Sequence, residues 1–344
     1  MGHTLPLTVA EDCAGLFTAS HILHATARIR LVFGSELDDR LRAAATQIFS
    51  LPDDVVVPSI HCRGQPLASP HLYVAGWPCV KDSMQGSRSF ENKEMWAVIK
   101  TIACTAPLTF ILEHVTGVFL GERRRKRFKR VLSILAKTHL LRWKVLSPHT
   151  CAGIPQVRNR MFIIGVRRAT SAASAFSRDW TWPSTGGLGQ PISSLLKLLD
   201  RPDFQFEPPR MSSSVVARNL GHLRAHPKLL GDQPCCIVDF GPSEGREQAT
   251  FDYCPTLTRA RSIGRAFGLI KNDQFLVVRN GNVPNVHRLD HVDMAKIQGF
   301  PKAVVDTVLS SGISPAALRS ALGNAINYGV LTLLIQRVLR IVRS

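Results

Sequence analysis

Three short stretches carry side chains that could do chemistry together. In AGWPCVKDSMQGSRS, residues 75–89, Cys79 follows an apolar run and a Gly-x-Pro turn. A thiol in such a loop can act as a nucleophile if its neighbours favour the thiolate. A free cysteine at a strand end is also often simply buried. In FILEHVTGV, residues 110–118, Glu113 ends an apolar run, where a carboxylate is costly unless it is paired or used. It could equally be a helix cap or half of an ion pair. In AGIPQVRNRMFIIG, residues 152–165, Arg158 and Arg160 alternate. On an extended segment they share one face, which could hold a carboxylate and a substrate carbonyl at once, or merely form a solvated basic edge.

A nucleophile, an acid and two cations become a site only if the fold gathers them. The first third of the chain alternates in a βα manner. LTVAEDCAG predicts a strand turning at Gly15, and TASHILHATA a helix. IRLVFGSEL predicts a second strand ending in Glu36, and DDRLRAAATQIF its helix. HLYVAGWPC, LTFILEHV and MFIIGVRR are further strands. Apolar strands alternating with helices imply an α/β fold with a mostly parallel sheet covered on both faces. Functional residues then belong at the carboxyl ends of the strands, where Glu36, Cys79 and Glu113 all fall.

Beyond Arg168 the composition shifts. TSAASAFSRDWTWPSTGGLGQP predicts a linker. Residues 185–285 lose the βα rhythm and suggest a smaller, irregular, basic domain containing RARSIGR at 259–265. The segment from Ala317 on has helical spacing and a basic end. The expected division is a catalytic and cofactor-binding domain over 1–180, completed by 310–344, and a second domain over 181–309.

The 344 residues carry 43 Lys+Arg against 25 Asp+Glu, a formal charge of +18. An excess that broad points to a polyanionic partner, most simply nucleic acid. Eight cysteines are too sparse for a disulfide scaffold, and none are spaced as Cys-x-x-Cys. The His residues lack zinc-type pairing, so no metal site is expected. The N-terminus lacks a signal-peptide pattern, and Pro6 stands where a myristoylation motif needs Ser or Thr. The stretch Ser320–Gln336 is too short and too polar to span a membrane. RRRKRFKR, residues 123–130, is a solvated helix face, a phosphate contact or a nuclear-targeting patch.

The three stretches occur in order with two more, RLDHVDMAKIQGFP at 288–301 and GNAI at 323–326. This ordered set resembles the cytosine-5 DNA methyltransferase family. The Pro-Cys loop, with Ser83 and Gly86 at the expected offsets, resembles its nucleophile motif. Glu-His-Val at 113–115 resembles its Glu-Asn-Val motif. Gln156-Val-Arg158-Asn-Arg160 matches its Gln-x-Arg-x-Arg motif, and Gln298-Gly-Phe-Pro301 and Gly323-Asn-Ala325 match its last two signatures. PTLTR at 255–259 resembles a segment near the end of its target-recognition region. The likeness extends from about residue 8 to 338. Departures are concentrated early. Of a Phe-x-Gly-x-Gly-Gly loop only Gly15 remains, an adenine-side Asp is replaced near Ser59-Ile60, Val80 replaces a Gln, and His114 replaces Asn.

The resemblance implies a Rossmann-like, S-adenosylmethionine-dependent methyltransferase sheet with a smaller target-recognition domain. It also implies a reaction on a flipped-out cytosine in double-stranded DNA, with no membrane and the chain acting as a monomer. It assigns catalysis to Cys79, Glu113, Arg158 and Arg160. It assigns the cofactor to Cys13, Ala14, Gly15, Leu16, Phe17, Glu36, Leu37, Ile60, Pro78, Asn324 and Ala325. It assigns the substrate to Ser83, Gln156, Arg259 and Arg261, with Arg265 nearby. Two other readings are a transfer-RNA cytosine-5 methyltransferase, whose Cys-Phe-Thr signature is missing here, and a degenerate DNA-binding scaffold. The expected location is nuclear in a eukaryote and cytoplasmic otherwise. A bare catalytic core of this kind resembles restriction-modification enzymes.

Overall fold

The structure is a computed structural model that describes residues 6–64, 67–78, 92–184, 235–240, 248–250, 253–257, 273–280 and 283–343. Seven strands form the main sheet. They are β1 (Leu7–Asp12), β2 (Ile29–Ser35), β3 (Val56–Val57), β4 (Leu72–Ala75), β5 (Thr109–Val115), β6 (His139–Leu146) and β7 (Arg160–Arg167), ordered β3-β2-β1-β4-β5-β7-β6. The pairs from β3 through β5 are parallel, as the βα rhythm predicts. β7 is different: it runs antiparallel to both β5 and β6. Its amino end therefore lies at the same edge as the carboxyl end of β5, and this is how Arg160 comes close to Glu113.

The period-2 alternation of the strands feeds two cores. Val9, Val74, Ile111, Phe162 and Ile164 face one layer, while Ala10, Tyr73, Phe110, Leu112 and Ile163 face the other. The first layer is covered by α1 (Thr18–His24), α2 (Asp39–Phe49) and α6 (Ser171–Asp179), together with α7 (His291–Ile297), α8 (Lys302–Ser310), α9 (Pro315–Asn324) and α10 (Tyr328–Arg343). The second is covered by α3 (Lys93–Thr105) and α4 (Glu122–Leu135), with a short α5 (Pro148–Cys151) lying before β7. At the β5–β7 seam Phe110 stands opposite Gly165. A Cβ there would come within 2.2 Å of the Phe110 ring, so only glycine lets the ring cross the strand.

Two expectations are corrected. The first half of the supposed linker is α6, because Thr170 caps it by accepting from Ala173 N and because Phe176 and Trp180 pack into the core. The region expected to be irregular contains a four-stranded antiparallel sheet. Its strands are β8 (Cys235–Phe240), β9 (Gln248–Thr250), β10 (Asp273–Asn280) and β11 (Val283–Arg288), ordered β11-β10-β8-β9. Among the described residues no single helix is long and apolar enough to cross a membrane. No group of three or more His, Cys, Asp or Glu among them is placed to hold a metal.

Candidate active site

Of the expected catalytic residues, Glu113 and Arg160 meet at the carboxyl edge of the main sheet. Glu113, near the end of β5, and Arg160, the first residue of β7, are diagonal cross-strand neighbours, since Val115 is the residue opposite Arg160. Arg160 Nε lies 3.0 Å from Glu113 Oε1, and the two side chains are 16% and 12% exposed. The pair is thus mostly dry yet still reachable. Gly76, one residue past β4, faces the same carboxylate: a Cβ on it would stand 3.4 Å from Glu113 Oε2 and 3.6 Å from Ile326 Cδ1. Gly76-Trp77-Pro78 leads directly to Cys79, which lies outside the described residues, as does Ser83.

Both ends of that undescribed segment are anchored. The Asn92 amide donates to Pro78 O at 3.4 Å, and its oxygen accepts from Met95 N at 3.0 Å, capping α3. Trp77 Nε1 donates to His114 Nε2 at 3.2 Å, and the two rings stack with centroids 4.6 Å apart. His114 must therefore carry its proton on Nδ1. The histidine that replaces Asn thus takes part in fixing the root of the Pro-Cys loop. Sequence reasoning noted this substitution but missed its Trp77 partner, for which no spacing rule gives a signal.

Arg158 does not share the face of Arg160. The strand begins only at Arg160, so the alternation assumed for an extended segment fails. Arg158 is buried, and its guanidinium donates to Leu257 O (3.0 Å), Gly323 O (3.3 Å) and Ala325 O (2.9 Å). It staples the GNAI turn and the PTLTR segment beneath the site. Gln156, expected to touch substrate, is also fully buried, and its Oε1 accepts from Asn327 Nδ2 at 3.3 Å. Its main chain bridges Cys254. Gln298 plays a similar part, donating to Leu322 O. Arg259, Arg261 and Arg265 lie outside the described residues.

The expected cofactor residues surround the loop after β1. Glu36 Oε2 accepts from Gly15 N at 2.7 Å and Oε1 from Asp38 N at 2.9 Å, so the acid holds the loop open beside it. Gly15 is left-handed (φ 56°), and nothing lies within 4 Å of where its Cβ would be. Leu37 is 79% exposed, an apolar side chain with no protein cover. An acid with spare lone pairs, an exposed apolar side chain and open space beside a glycine fit a ribose diol carrying a flat ring. Cys13 and Ala14 flank this space, Pro78 and Asn324 are exposed, and Ala325 and Ile60 are buried.

Leu16 and Phe17 belong to the same loop. Their side chains are 5% and 1% exposed and point into the core, so they shape the loop from beneath. Phe17 adopts φ 50°, a conformation where glycine is at home. Burial pushes the Cys13 thiol far above its usual range.

Two acids at the end of β1 escaped the sequence reading, although a Glu-Asp pair closing an apolar strand was the available signal. Asp12 is fully buried and accepts from Nη1 and Nη2 of Arg63, from Tyr73 Oη at 2.8 Å and from Ser35 Oγ at 2.8 Å. Arg63 also lies over the Phe33 ring at 4.6 Å. Glu11 accepts from Ala19 N, Ser20 N and Ser20 Oγ, tying β1 to the start of α1. Burial raises its carboxyl to about 7.

A mixed seven-stranded sheet with an acid–guanidinium pair beside the Gly76-Trp77-Pro78 turn defines a class. The sequence matches the C-5 cytosine-specific DNA methylase family over residues 8–340, and the chain belongs to that family. Among curated proteins, the Type II methyltransferase M.Bsp6I of Bacillus sp. (strain RFL6) is 21% identical over 327 residues, 93% of this chain and 94% of that relative. M.HgiCII of Herpetosiphon aurantiacus is 29% identical over 161 residues, 45% of this chain, and the match spans 34% of that relative's length. Among solved structures, the S. pombe Dnmt2 methyltransferase superposes with TM-score 0.61 at 14% identity, covering 98% of this chain and 99% of that one. The Entamoeba histolytica methyltransferase EhMeth gives TM-score 0.63 at 14% identity over the same shares. At that identity these two structures speak for the fold alone.

Proposed function

We propose that this protein is a DNA (cytosine-5-)-methyltransferase that uses S-adenosylmethionine and acts on a cytosine turned out of the duplex. The observation that carries the reading is the Glu113–Arg160 pair, 3.0 Å apart and adjoining the root of the Cys79 loop. A buried acid held by a guanidinium and left partly open on one side is what a neutral ring nitrogen needs if it is to take up a proton.

Carbon 5 of cytosine is a weak nucleophile until carbon 6 is attacked. Cys79 Sγ adds to carbon 6, and the electron pair released makes carbon 5 enamine-like. Glu113 hydrogen-bonds the exocyclic amine and delivers a proton to ring nitrogen 3 as negative charge builds there, a contribution typically of about 10²–10⁴ in rate. Arg160 orients Glu113 and can reach the base carbonyl. When bound, S-adenosylmethionine supplies the electrophilic methyl group. Glu36 would hold its ribose hydroxyls, Leu37 would cover its flat ring and the Gly15 main chain would approach it closely. After alkylation a water takes the carbon 5 proton, the freed electron pair re-forms the ring double bond and expels Cys79 as thiolate, and nitrogen 3 returns its proton to Glu113. Arg158 acts at one remove, holding the Gly323–Ala325 turn against the site.

A base inside a duplex cannot enter such a pocket, so it must be flipped out. The four-stranded sheet suits the role of target-recognition domain, clamping the far side of the duplex and reading base edges. The test is bisulfite sequencing of DNA from cells expressing the chain, with Cys79→Ala and Glu113→Gln as controls. Methylation at a reproducible sequence with the native chain, absent with Cys79→Ala and strongly reduced with Glu113→Gln, supports the proposal. Unmethylated DNA, or equal methylation by all three, overturns it.

A further inference from the structure

The basic run 123–130 forms the first half of α4 (Glu122–Leu135), with seven cations in eight residues. Phe128, Val131 and Leu135 face the core, while Arg123, Arg125, Lys126, Lys129 and Arg130 are exposed. This placement works against the helix itself. Arg125 and Lys129 are a like-charged i,i+4 pair, as are Lys126 and Arg130, and such pairs destabilise a helix. Arg123, Arg124 and Arg125 occupy the first turn, where the helix dipole already presents positive charge, and no basic residue occupies the last turn. The one acid in the helix, Glu122, pairs with Lys126 at 2.7 Å. A helix built for its own stability would have this charge at the opposite end.

The charged end is also the end nearest the site. Glu113 leads into a 3-10 turn at Thr116–Phe119, and Arg124 Nη1 donates to Gly117 O at 3.2 Å. Phe128 packs edge-on against Phe119 and Trp143, which holds the helix rigidly on the sheet. The cations are thus presented at a fixed place beside the edge where Glu113 and Arg160 meet.

We infer that the outward face of α4 is a docking surface for the phosphodiester backbone of duplex DNA flanking the target base, separate from the groove-reading domain. This rests on the DNA-methyltransferase reading above and adds a second contact to it. Phosphate oxygens would supply counter-charge to Arg125 and Lys129 on that exposed face, and releasing the counterions condensed on the DNA would make the contact strongly salt-dependent.

The test is fluorescence anisotropy of the full chain with a labelled duplex of mixed sequence, between about 50 and 200 mM salt. The variant is Arg125→Gln/Lys129→Gln, and Arg125→Lys/Lys129→Arg is its charge-preserving partner. Losing two phosphate contacts should make the slope of log K against log salt shallower by about 1.8, so the native chain loses about 12-fold more affinity across that range. The charge-preserving variant should keep the native slope. Glutamine is nearly as good a helix former as arginine or lysine, so the thermal midpoint of the neutral variant should be equal or higher. An unaltered slope in the neutral variant overturns the inference, as does equal loss in the charge-preserving one. Stronger competition by a structured RNA than by duplex also overturns it. If the native chain binds no duplex at any salt, the methyltransferase reading itself fails. Native binding with an unchanged variant slope sinks the helix contact alone.

Discussion

Replacing Arg158 by Ala separates a staple from a reactant. In the native chain its guanidinium gives three hydrogen bonds to the main-chain carbonyls of Leu257, Gly323 and Ala325, between 2.9 and 3.3 Å. A hydrogen bond to a charged group contributes about 1.5–3 kcal/mol, but three from one group are not additive. Cutting them leaves three carbonyls without this donor in a dry interior. Each carbonyl left unsatisfied there costs about 1–3 kcal/mol, with the three losses sharing one donor group. We therefore expect Arg158→Ala to lower unfolding stability by about 4 kcal/mol, a large share of the roughly 5–15 kcal/mol that such proteins possess. Lysine, a single ammonium without the planar fork, should recover roughly half of that.

Arg160→Ala provides the contrast in transfer. Its pair with Glu113 is mostly dry, so removing Arg160 leaves a nearly buried carboxylate without its cation and should cost about 3–5 kcal/mol, while methyl transfer falls sharply. Urea unfolding midpoints for the three variants, set beside their transfer rates, make the comparison. If Arg158→Ala keeps its stability within about 1 kcal/mol of native yet loses transfer, Arg158 touches substrate and the staple argument is wrong.

Two further expectations concern the loop after β1 and the helix behind it. Phe17→Gly would relieve a left-handed residue, a gain of about 1–3 kcal/mol, but would empty a core position, where Phe→Ala costs about 3–5 kcal/mol. Cavity formation should win, so thermal unfolding should show net destabilisation, and a more stable variant would mean that the loop strain dominates. His21 is held neutral down to about 4 by burial, so between about 6.5 and 4 the unfolded chain binds a proton that the folded chain refuses, and stability falls as pH falls. Glu11, kept protonated up to about 7, acts in the opposite sense: between about 4.5 and 7 unfolding releases its proton, and stability falls as pH rises. The two slopes offset each other in the native chain. His21→Leu should therefore expose the Glu11 slope, about 1.4 kcal/mol per pH unit, in urea unfolding between pH 4.5 and 6.5, whereas curves parallel to native would refute the assignment.

The parallel half of the sheet was legible because β1, β2, β4 and β5 are apolar runs closed by acidic or turn-forming residues, the mark of strands buried on both faces. β6 was missed because it is the edge strand: Arg142, Trp143, Lys144 and Val145 are all exposed, so HLLRWKVL has neither an apolar run nor a clean alternation. β3 is two residues long and has no pattern to find. The helix α6 was hidden by its serines, whose composition suggests a linker, although the Thr170 cap and Phe176 were there to be weighed.

The site was legible to the same degree and for a related reason. Glu113 and Arg160 sit on strands, where a carboxylate or guanidinium stands out against apolar neighbours. Arg158 and Gln156 sit just outside the strand, where spacing no longer dictates direction, and both turn inward, Arg158 to main-chain carbonyls and Gln156 to the Asn327 amide. A motif read as one constellation thus divides in the fold into groups that face the crevice and groups that hold the crevice in shape. Polar type and spacing alone cannot tell the two apart, because a buried guanidinium and a catalytic one have the same chemistry. What separates them is the partner: Arg158 binds carbonyls that do not change during a reaction, while Arg160 binds a carboxylate that would have to.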